Sequence, residues 1–145
     1  MSVDSRLLEQ NKAVTRQFME QFKNKHDFAV IDQLFSPAAT ILLPADGLPE
    51  GPAGQKAMGD VVFAAFPDVH VTLDYAIAEG DRVAERHTAR ATHRGVFLGI
   101  PATGKAVSWT ENHFYRLEDS RIVELCSEWS FQRLMDQLGA AGARA

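Results

Sequence analysis

The spacing of hydrophobic residues changes from a helical period to a strand period near the middle of the chain. Before residue 67, apolar positions recur about four residues apart, as in Val14, Phe18 and Phe22, which is the pattern of one buried helix face. From residue 69 onward apolar and polar positions alternate, which is typical of half-buried strands. The pattern therefore predicts a largely helical first half and a second half made of strands.

Glycine, proline and short polar runs set the boundaries of the predicted elements. Helices are predicted at residues 4–24, 27–35 and 54–66, with a short last helix at 131–138. Strands are predicted at residues 40–43, 69–77, 82–94, 106–117 and 121–129. Helices followed by hairpin-linked strands indicate an α+β fold, in which a curved antiparallel sheet is covered by three helices that leave a central pocket. Residues 1–139 are predicted to form one domain, and residues 140–145 a frayed C-terminal tail.

In each of the two longest predicted strands, the alternation of apolar and polar residues predicts that a Glu-x-His pair faces inward. In the strand at 82–94 one face carries Arg86, Arg90 and Arg94, so we expect the opposite face, with Glu85 and His87, to be covered. In the strand at 106–117 the face with Trp109, Glu111 and His113 is flanked by apolar residues, and we expect it to face the helices.

The strand at 121–129 gives a weaker signal. Its alternation slightly favours burial of the face with Leu125, Ser127 and Trp129 over the face with Cys126 and Glu128. In the strand at 106–117, a single bulge would reverse the assignment of the inward face.

Composition excludes several functional classes. The 145 residues are 46% hydrophobic and 23% charged, with a net charge of -4, and they contain no basic stripe for nucleic acid. No apolar run approaches the roughly 20 residues that span a membrane. The polar N-terminus has no signal core and the single cysteine cannot form an intramolecular disulfide, so we expect a cytoplasmic protein. The histidines lack compact metal-ligand spacing, so no metal site is predicted.

Three stretches resemble the SnoaL-like polyketide cyclase and ester cyclase family of the NTF2-like superfamily. The first is the amphipathic opening helix with the segment that follows it to Ser36-Pro37. The second is residues 47–52 (GLPEGP), leading to residues 65–68 (AFPD). The third and most specific joins residues 79–83 (EGDRV), 92–95 (THRG) and 97–104 (FLGIPATG). Together these stretches span nearly the whole chain in the order typical of the family.

The resemblance implies a conical α+β barrel, commonly a homodimer through the sheet, that uses no metal and no organic cofactor. It also implies a pocket acid that deprotonates an activated carbon of a small apolar organic ligand, so that an intramolecular aldol reaction closes a ring. A carboxylate in an apolar cavity suits this role, because desolvation raises its basicity.

Three family positions hold unusual residues in this chain. The family's catalytic aspartate falls on Ser130, a common tyrosine on Met19 and a frequent histidine on Leu42. None of these residues is a general base, so the family mechanism does not carry over intact. Glu128 lies two residues before Ser130, on the same side of a regular strand, and is a candidate to replace the aspartate.

The predicted catalytic residues are therefore His113, Glu111 and Glu128, because a histidine beside a carboxylate can act as acid or base near neutral pH. The predicted substrate-binding residues are Phe18, Met19, Phe22, Leu42, Phe66, His87, Trp109 and Ser130. Structural interpretations stay open beside these. The pair Glu111–His113 can be a satisfied structural hydrogen bond, Glu128 can be a solvated strand residue, and the aromatic residues can be plain core.

Two functional classes fit these residues. The first is a cofactor-independent enzyme that acts on a small, mostly apolar carbonyl compound as a cyclase, isomerase, dehydratase or lactone-forming enzyme. The second is a binding protein that uses the same cavity without catalysis. Convergence of Glu111, His113 and Glu128 around a void would favour the enzyme, a purely apolar void the binding protein, and a filled core a dimerising scaffold.

Overall fold

The computed structural model describes residues 2–139 and contains four α-helices, one π-helical segment and five strands. The helices are α1 (Val3–Gln17), α2 (Ala29–Leu34), α3 (Pro52–Ala65) and α4 (Phe131–Gln137), and the π segment is Phe18–Asn24. The strands are β1 (Phe35–Leu42), β2 (His70–Glu79), β3 (Arg82–Thr92), β4 (Ala106–Glu118) and β5 (Arg121–Trp129). The predicted tail at 140–145 lies outside the described residues.

The strands form one sheet in the order β1-β5-β4-β3-β2. The α+β prediction is confirmed, with two differences in the sheet. It is not a closed barrel, because β1 and β2 are its two edges and do not pair with each other. It is also not wholly antiparallel, because β1 runs parallel to β5 while the other pairs are antiparallel.

The opening helix changes its winding where it reaches the core. Ser2 begins α1 by accepting a hydrogen bond from the Ser5 amide at 3.0 Å, which satisfies one free donor of the first turn. The last seven residues of the long helix then wind as a π-helix, in which each amide bonds five residues back. This segment buries four of its seven residues, Phe18, Met19, Phe22 and Lys23.

The first strand begins at Phe35, five residues before the predicted start. It contains Pro37, which cannot donate to a sheet ladder. The strand accommodates it because β1 is an edge and its register with β5 is interrupted between Phe35 and Thr40.

The inward faces of the long strands are as predicted. On β3 and β4 every second residue is buried, including both Glu-x-His pairs. On β5, Leu125 and Ser127 are buried and Trp129 is partly buried. Ile122 is also fully buried, although strict alternation assigns it to the outer face, because a register shift lies opposite it between Arg116 and Leu117.

The helices pack on the concave face of the sheet in two hydrophobic clusters. One is centred on Phe18, Phe22 and Phe35, and the other on Phe66 and Trp109. Among the described residues, no helix combines the length and hydropathy of a membrane span.

Candidate functional site

A cavity lies between α3, the π segment and the inner face of the sheet. The space between its lining atoms is about 450 Å³, a figure that includes the opening to solvent. Its lining is mostly apolar, with polar groups contributed by a few buried side chains. The lining residues are Phe22, Lys23, Leu43, Pro44, Gln55, Met58, Gly59, Val62, Phe63, Val69, Val71, Trp109, Glu111, His113, Ser127 and Trp129.

Three buried polar side chains converge in the cavity wall. Lys23 Nζ lies 2.5 Å from Glu111 Oε1 and 2.8 Å from His113 Nε2. The same Glu111 oxygen lies 2.9 Å from His113 Nε2. All three residues are at most 8% exposed, so their charges interact with little screening by water. We call Lys23, Glu111 and His113 the cavity triad.

Glu111 is held as a carboxylate despite its burial. Desolvation is the largest single influence and by itself would raise the pKa of Glu111. The charge of Lys23 and the hydrogen bond with His113 outweigh it, so the pKa of this carboxyl lies well below its ordinary value. The second oxygen, Oε2, accepts a hydrogen bond from Trp109 Nε1 at 2.8 Å.

His113 is a neutral imidazole at neutral pH. Burial first, and then the charge of Lys23, lower the pKa of His113 to about 4. Its Nε2 can donate to Glu111 or accept from Lys23, but one nitrogen cannot do both at once. The Nδ1 atom is buried and has no partner among the described residues. The imidazole Nε2 therefore lies between a donor, Lys23, and an acceptor, Glu111, and its Nδ1 atom makes no hydrogen bond with the described residues.

A second Glu-x-His pair lies beside the cavity triad on the neighbouring strand. His87 Nε2 donates to Glu85 Oε1 at 3.1 Å, and Thr15 Oγ1 donates to Glu85 Oε2 at 2.8 Å. The His87 and His113 rings are 4.7 Å apart. Neither Glu85 nor His87 lines the cavity, and we call them the closed pair for that reason. His87 Nδ1, like His113 Nδ1, is buried without a partner among the described residues.

The structure brings together four of the predicted site residues. Phe22, Trp109, Glu111 and His113 all line the cavity. Trp129, whose orientation was ambiguous from the sequence, also faces inward and stacks on Trp109 with ring centroids 5.4 Å apart.

Three predicted site residues lie away from the cavity. Glu128 is exposed, because it alternates with the inward Ser127 and Trp129, so the prediction that it replaces the family aspartate inside the pocket is wrong. Leu42 is 68% exposed at the end of the edge strand. The Ser130 hydroxyl accepts a hydrogen bond from the Thr110 amide at 2.8 Å, and Ser130 directly precedes α4 without capping it through its side chain.

The other four predicted binding residues are buried but do not line the cavity. Phe18 lies beneath Lys23, whose Nζ is 5.7 Å from the ring centroid. Phe66 packs on Trp109 with centroids 5.1 Å apart. Met19 belongs to the same hydrophobic cluster as Phe66, and His87 belongs to the closed pair described above. They support the cavity wall from behind.

Sequence reasoning missed two polar lining residues, Lys23 and Gln55. Lysine is rarely buried without a partner, and in an ordinary α-helix Lys23 does not share one narrow face with Phe18 and Phe22. The π winding brings all three to the buried side, and hydrophobic spacing gives no sign of it. Gln55 lies in the first turns of α3 and is 5% exposed.

The described residues also include one group with metal-ligand chemistry. His87, Glu111 and His113 each offer a ligand atom, and these atoms lie within 4.8 Å of one another. Lys23 already contacts the atoms Glu111 Oε1 and His113 Nε2. The Lys23 ammonium group therefore occupies the position in which a metal ion would bind Glu111 and His113.

Comparison with known proteins places these features in a family. The model of the SnoaL-like polyketide cyclases matches residues 13–138. The structure of IdmH from Streptomyces antibioticus, proposed to be a polyketide cyclase, is 32% identical with a TM-score of 0.80, over 90% of this chain and 99% of that one. No significant match is found among the curated proteins.

Two further solved structures have the same fold. AclR from Streptomyces galilaeus, proposed to be a hydroxylase, is 29% identical with a TM-score of 0.81, over 92% of this chain and 98% of that one. A proposed SnoaL-like polyketide cyclase from Jannaschia sp. CCS1 is 20% identical with a TM-score of 0.85, over 97% and 99% of the two chains. The last likeness concerns the fold alone.

Proposed function

The chain belongs to the SnoaL-like polyketide cyclase family of NTF2-like proteins, and we propose that it is a cofactor-independent acid–base enzyme for a small, mostly apolar carbonyl compound. The observation that carries the proposal is the cavity triad, an ammonium group in contact with a carboxylate and an imidazole in a mostly apolar wall. A purely apolar void does not describe this cavity, because charged and polar side chains lie in its wall.

Lys23 is the group that binds the carbonyl oxygen. An ammonium group has three donors. One contacts Glu111, and a second is used at His113 only in the tautomer whose Nε2 accepts. The third is available to a ligand oxygen. Negative charge that develops on this oxygen during deprotonation is stabilised by the ammonium in a site of low dielectric constant.

His113 is the base that takes the proton from the carbon next to the carbonyl. When Nε2 donates to Glu111, Nδ1 carries the free electron pair and has no protein partner. Glu111 then stabilises the imidazolium that forms, as a carboxylate orients a histidine in other acid–base sites. This arrangement moves the base from the position of Ser130, where the family has its aspartate, to strand β4.

A non-catalytic binding protein is the second candidate, and one observation favours it. Lys23 lowers the basicity of both Glu111 and His113, which suits a stable ligand site better than a strong base. In this interpretation the cavity holds a carbonyl compound through Lys23 and releases it unchanged.

Deuterium exchange distinguishes the two candidates without knowledge of the natural substrate. The probe is 2-tetralone in D2O, with incorporation at the carbon next to the carbonyl followed by mass spectrometry. We expect the protein to accelerate exchange, and His113→Gln to reduce the acceleration by about 10²-fold, a typical contribution of a general base. Glu128→Gln is the matched control, since Glu128 is exposed outside the cavity. Binding of the ketone without any acceleration would reject the enzyme in favour of the binding protein.

The proposal includes a homodimer that forms through the outer face of the sheet. Ile77, Ala84 and Phe114 lie side by side across three strands, and Ile77 and Phe114 are 62% and 53% exposed. Apolar side chains in such a row favour a protein partner. Light scattering after gel filtration should give a dimer for the native protein and a monomer for Phe114→Glu. A native monomer at micromolar concentration would contradict this part of the proposal.

A further inference from the structure

Gln55 holds a buried polar atom that no residue satisfies. The residue is 5% exposed, and its Oε1 atom has no hydrogen-bond partner among the described residues. Buried side-chain oxygens nearly always have a partner, and one without a partner costs free energy. An unsatisfied amide in the wall of a ligand cavity therefore points to a partner that comes with the ligand.

The position of Gln55 on α3 separates it from the cavity triad. It follows Pro52 in the first turns of the helix, and the later lining residues of α3, including Met58 and Val62, are apolar. The triad instead joins the π segment to β4. The cavity thus has polar groups on separate elements: the triad, Gln55 on α3 and the Ser127 side chain on β5, with apolar residues making up the rest of the lining.

The charges of the lining restrict the ligand further. Lys23, Glu111 and His113 are the ionisable members of the described lining. The formal charges of Lys23 and Glu111 cancel, and His113 is neutral because its pKa is lowered to about 4. A balanced cavity suits a neutral ligand, since a ligand with a full charge would lose its hydration without a compensating partner.

We propose that Gln55 selects a neutral ketone that carries a hydroxyl group at the end remote from its reacting carbonyl. The assignment of the carbonyl to Lys23 rests on the proposed function. The assignment of the hydroxyl group to Gln55 rests on the unsatisfied amide. A hydroxyl can donate to an amide oxygen and accept from an amide nitrogen. It therefore satisfies Gln55 in either orientation of the amide, which a second carbonyl group does not.

The test compares 2-tetralone with its 5-, 6-, 7- and 8-hydroxy derivatives. Both tryptophans of the chain line the cavity, so quenching of intrinsic fluorescence reports binding, and calorimetry provides an independent dissociation constant. We expect at least one hydroxylated isomer to bind the native protein about tenfold more tightly than the parent ketone, the effect of one buried hydrogen bond.

Gln55→Leu should remove this preference by weakening the hydroxylated ligand and leaving the parent ketone bound at least as well. Met58→Leu is the matched control, because Met58 lines the cavity one turn further along α3 and offers no hydrogen bond. It should change the affinities for both ligands by the same factor. Without ligand, Gln55→Leu should unfold at the same temperature as the native protein or higher, because it removes an unsatisfied group.

Two results would overturn the inference. One is a native protein that binds no hydroxylated isomer more tightly than the parent ketone, and the other is a Gln55→Leu variant that keeps the preference. These outcomes are separable from the catalytic proposal, which the exchange assay measures with the parent ketone. A preference that depends on Gln55 without any deuterium exchange would retain the inference and reject catalysis, and exchange without such a preference would do the reverse.

Discussion

The two Glu-x-His pairs have nearly the same local geometry and very different surroundings. They lie on adjacent antiparallel strands, where Glu85 is opposite His113 and His87 is opposite Glu111. Each histidine is about 3 Å from the carboxylate of its own pair, at 3.1 Å on β3 and 2.9 Å on β4. One pair lines the cavity and the other does not.

The long opening helix makes the difference between the pairs. Its α-helical part supplies the Thr15 hydroxyl to Glu85, and its π-helical part supplies the Lys23 ammonium to Glu111. The hydroxyl at the first pair has one hydrogen, which it donates to Glu85. The ammonium at the second pair has three, so a spare hydrogen can bind a ligand. Identical residue pairs on a sheet therefore acquire different roles from the helix that covers them.

Replacement of Lys23 by methionine should give the largest effect. It leaves the Glu111 carboxylate buried without its cation, and breaking a buried ion pair in this way costs about 3–5 kcal/mol of unfolding free energy. Ketone exchange should fall by about 10²-fold or more, because the group that stabilises the enolate is gone. Urea unfolding and the deuterium assay measure the two effects separately.

The double variant Lys23→Met/Glu111→Gln separates the role in stability from the role in chemistry. It should regain most of the lost stability, since no uncompensated charge remains buried. It should not regain exchange. Recovery of both properties together would mean that Lys23 serves only to neutralise Glu111.

Acidification should destabilise the protein through His113. The pKa of this histidine is lowered to about 4 in the folded state, compared with about 6.5 for an unperturbed histidine. Between these values the unfolded chain binds a proton that the folded chain does not, so stability falls with decreasing pH by up to about 1.4 kcal/mol per pH unit. The pKa of Glu111 is also lowered, so Glu111 adds a further loss of stability, but only when the pH falls below the ordinary pKa of a glutamate.

Urea unfolding at pH 7, 6 and 5 measures this slope. His113→Gln should flatten it, because glutamine does not titrate. Equal slopes for the native protein and the variant would show that the pH dependence arises elsewhere in the chain.

Thr15→Val should affect the closed pair alone. Valine has the shape of threonine without its hydroxyl, so Glu85 loses the hydrogen bond to its Oε2 atom. A hydrogen bond to a charged group contributes about 1.5–3 kcal/mol, and the free energy of unfolding should fall by that order. Ketone exchange should stay within about twofold of the native rate, since Thr15 and Glu85 do not line the cavity. A large loss of exchange with little loss of stability would make the closed pair part of the chemistry.

The fold and half of the site were predictable from sequence because strand alternation has a period of two. That period placed Glu111 and His113 inward on β4 and Leu125 and Trp129 inward on β5. The same period contradicts an inward Glu128, which follows Ser127 directly. The family position of Ser130 favoured Glu128, but Ser130 lies past the end of the strand, where its hydroxyl bonds to Thr110.

The rest of the site depends on features that hydrophobic spacing does not encode. Lys23 reaches the cavity through a π-helical segment, which differs from an α-helix by its hydrogen-bond register and not by any residue type. Gln55 is recognised by the lack of a partner for its buried oxygen, and this can be seen only when every neighbouring side chain is placed. Both residues are polar groups in helices, where sequence analysis expects a solvated face.

Glu128→Gln should give the smallest effect, and it tests whether the cavity triad accounts for the chemistry. Glu128 is exposed on the outer side of β5, opposite Asn112 on the neighbouring strand. A surface substitution of this kind changes the unfolding free energy by at most about 0.5 kcal/mol, and the long-range field of an exposed charge is screened within about 10 Å at 0.1 M salt. Exchange rate and pH profile should therefore match those of the native protein, measured at 0.1 M salt by the deuterium assay. A tenfold loss of exchange in this variant would return the base to the position that the family resemblance favours and remove it from His113.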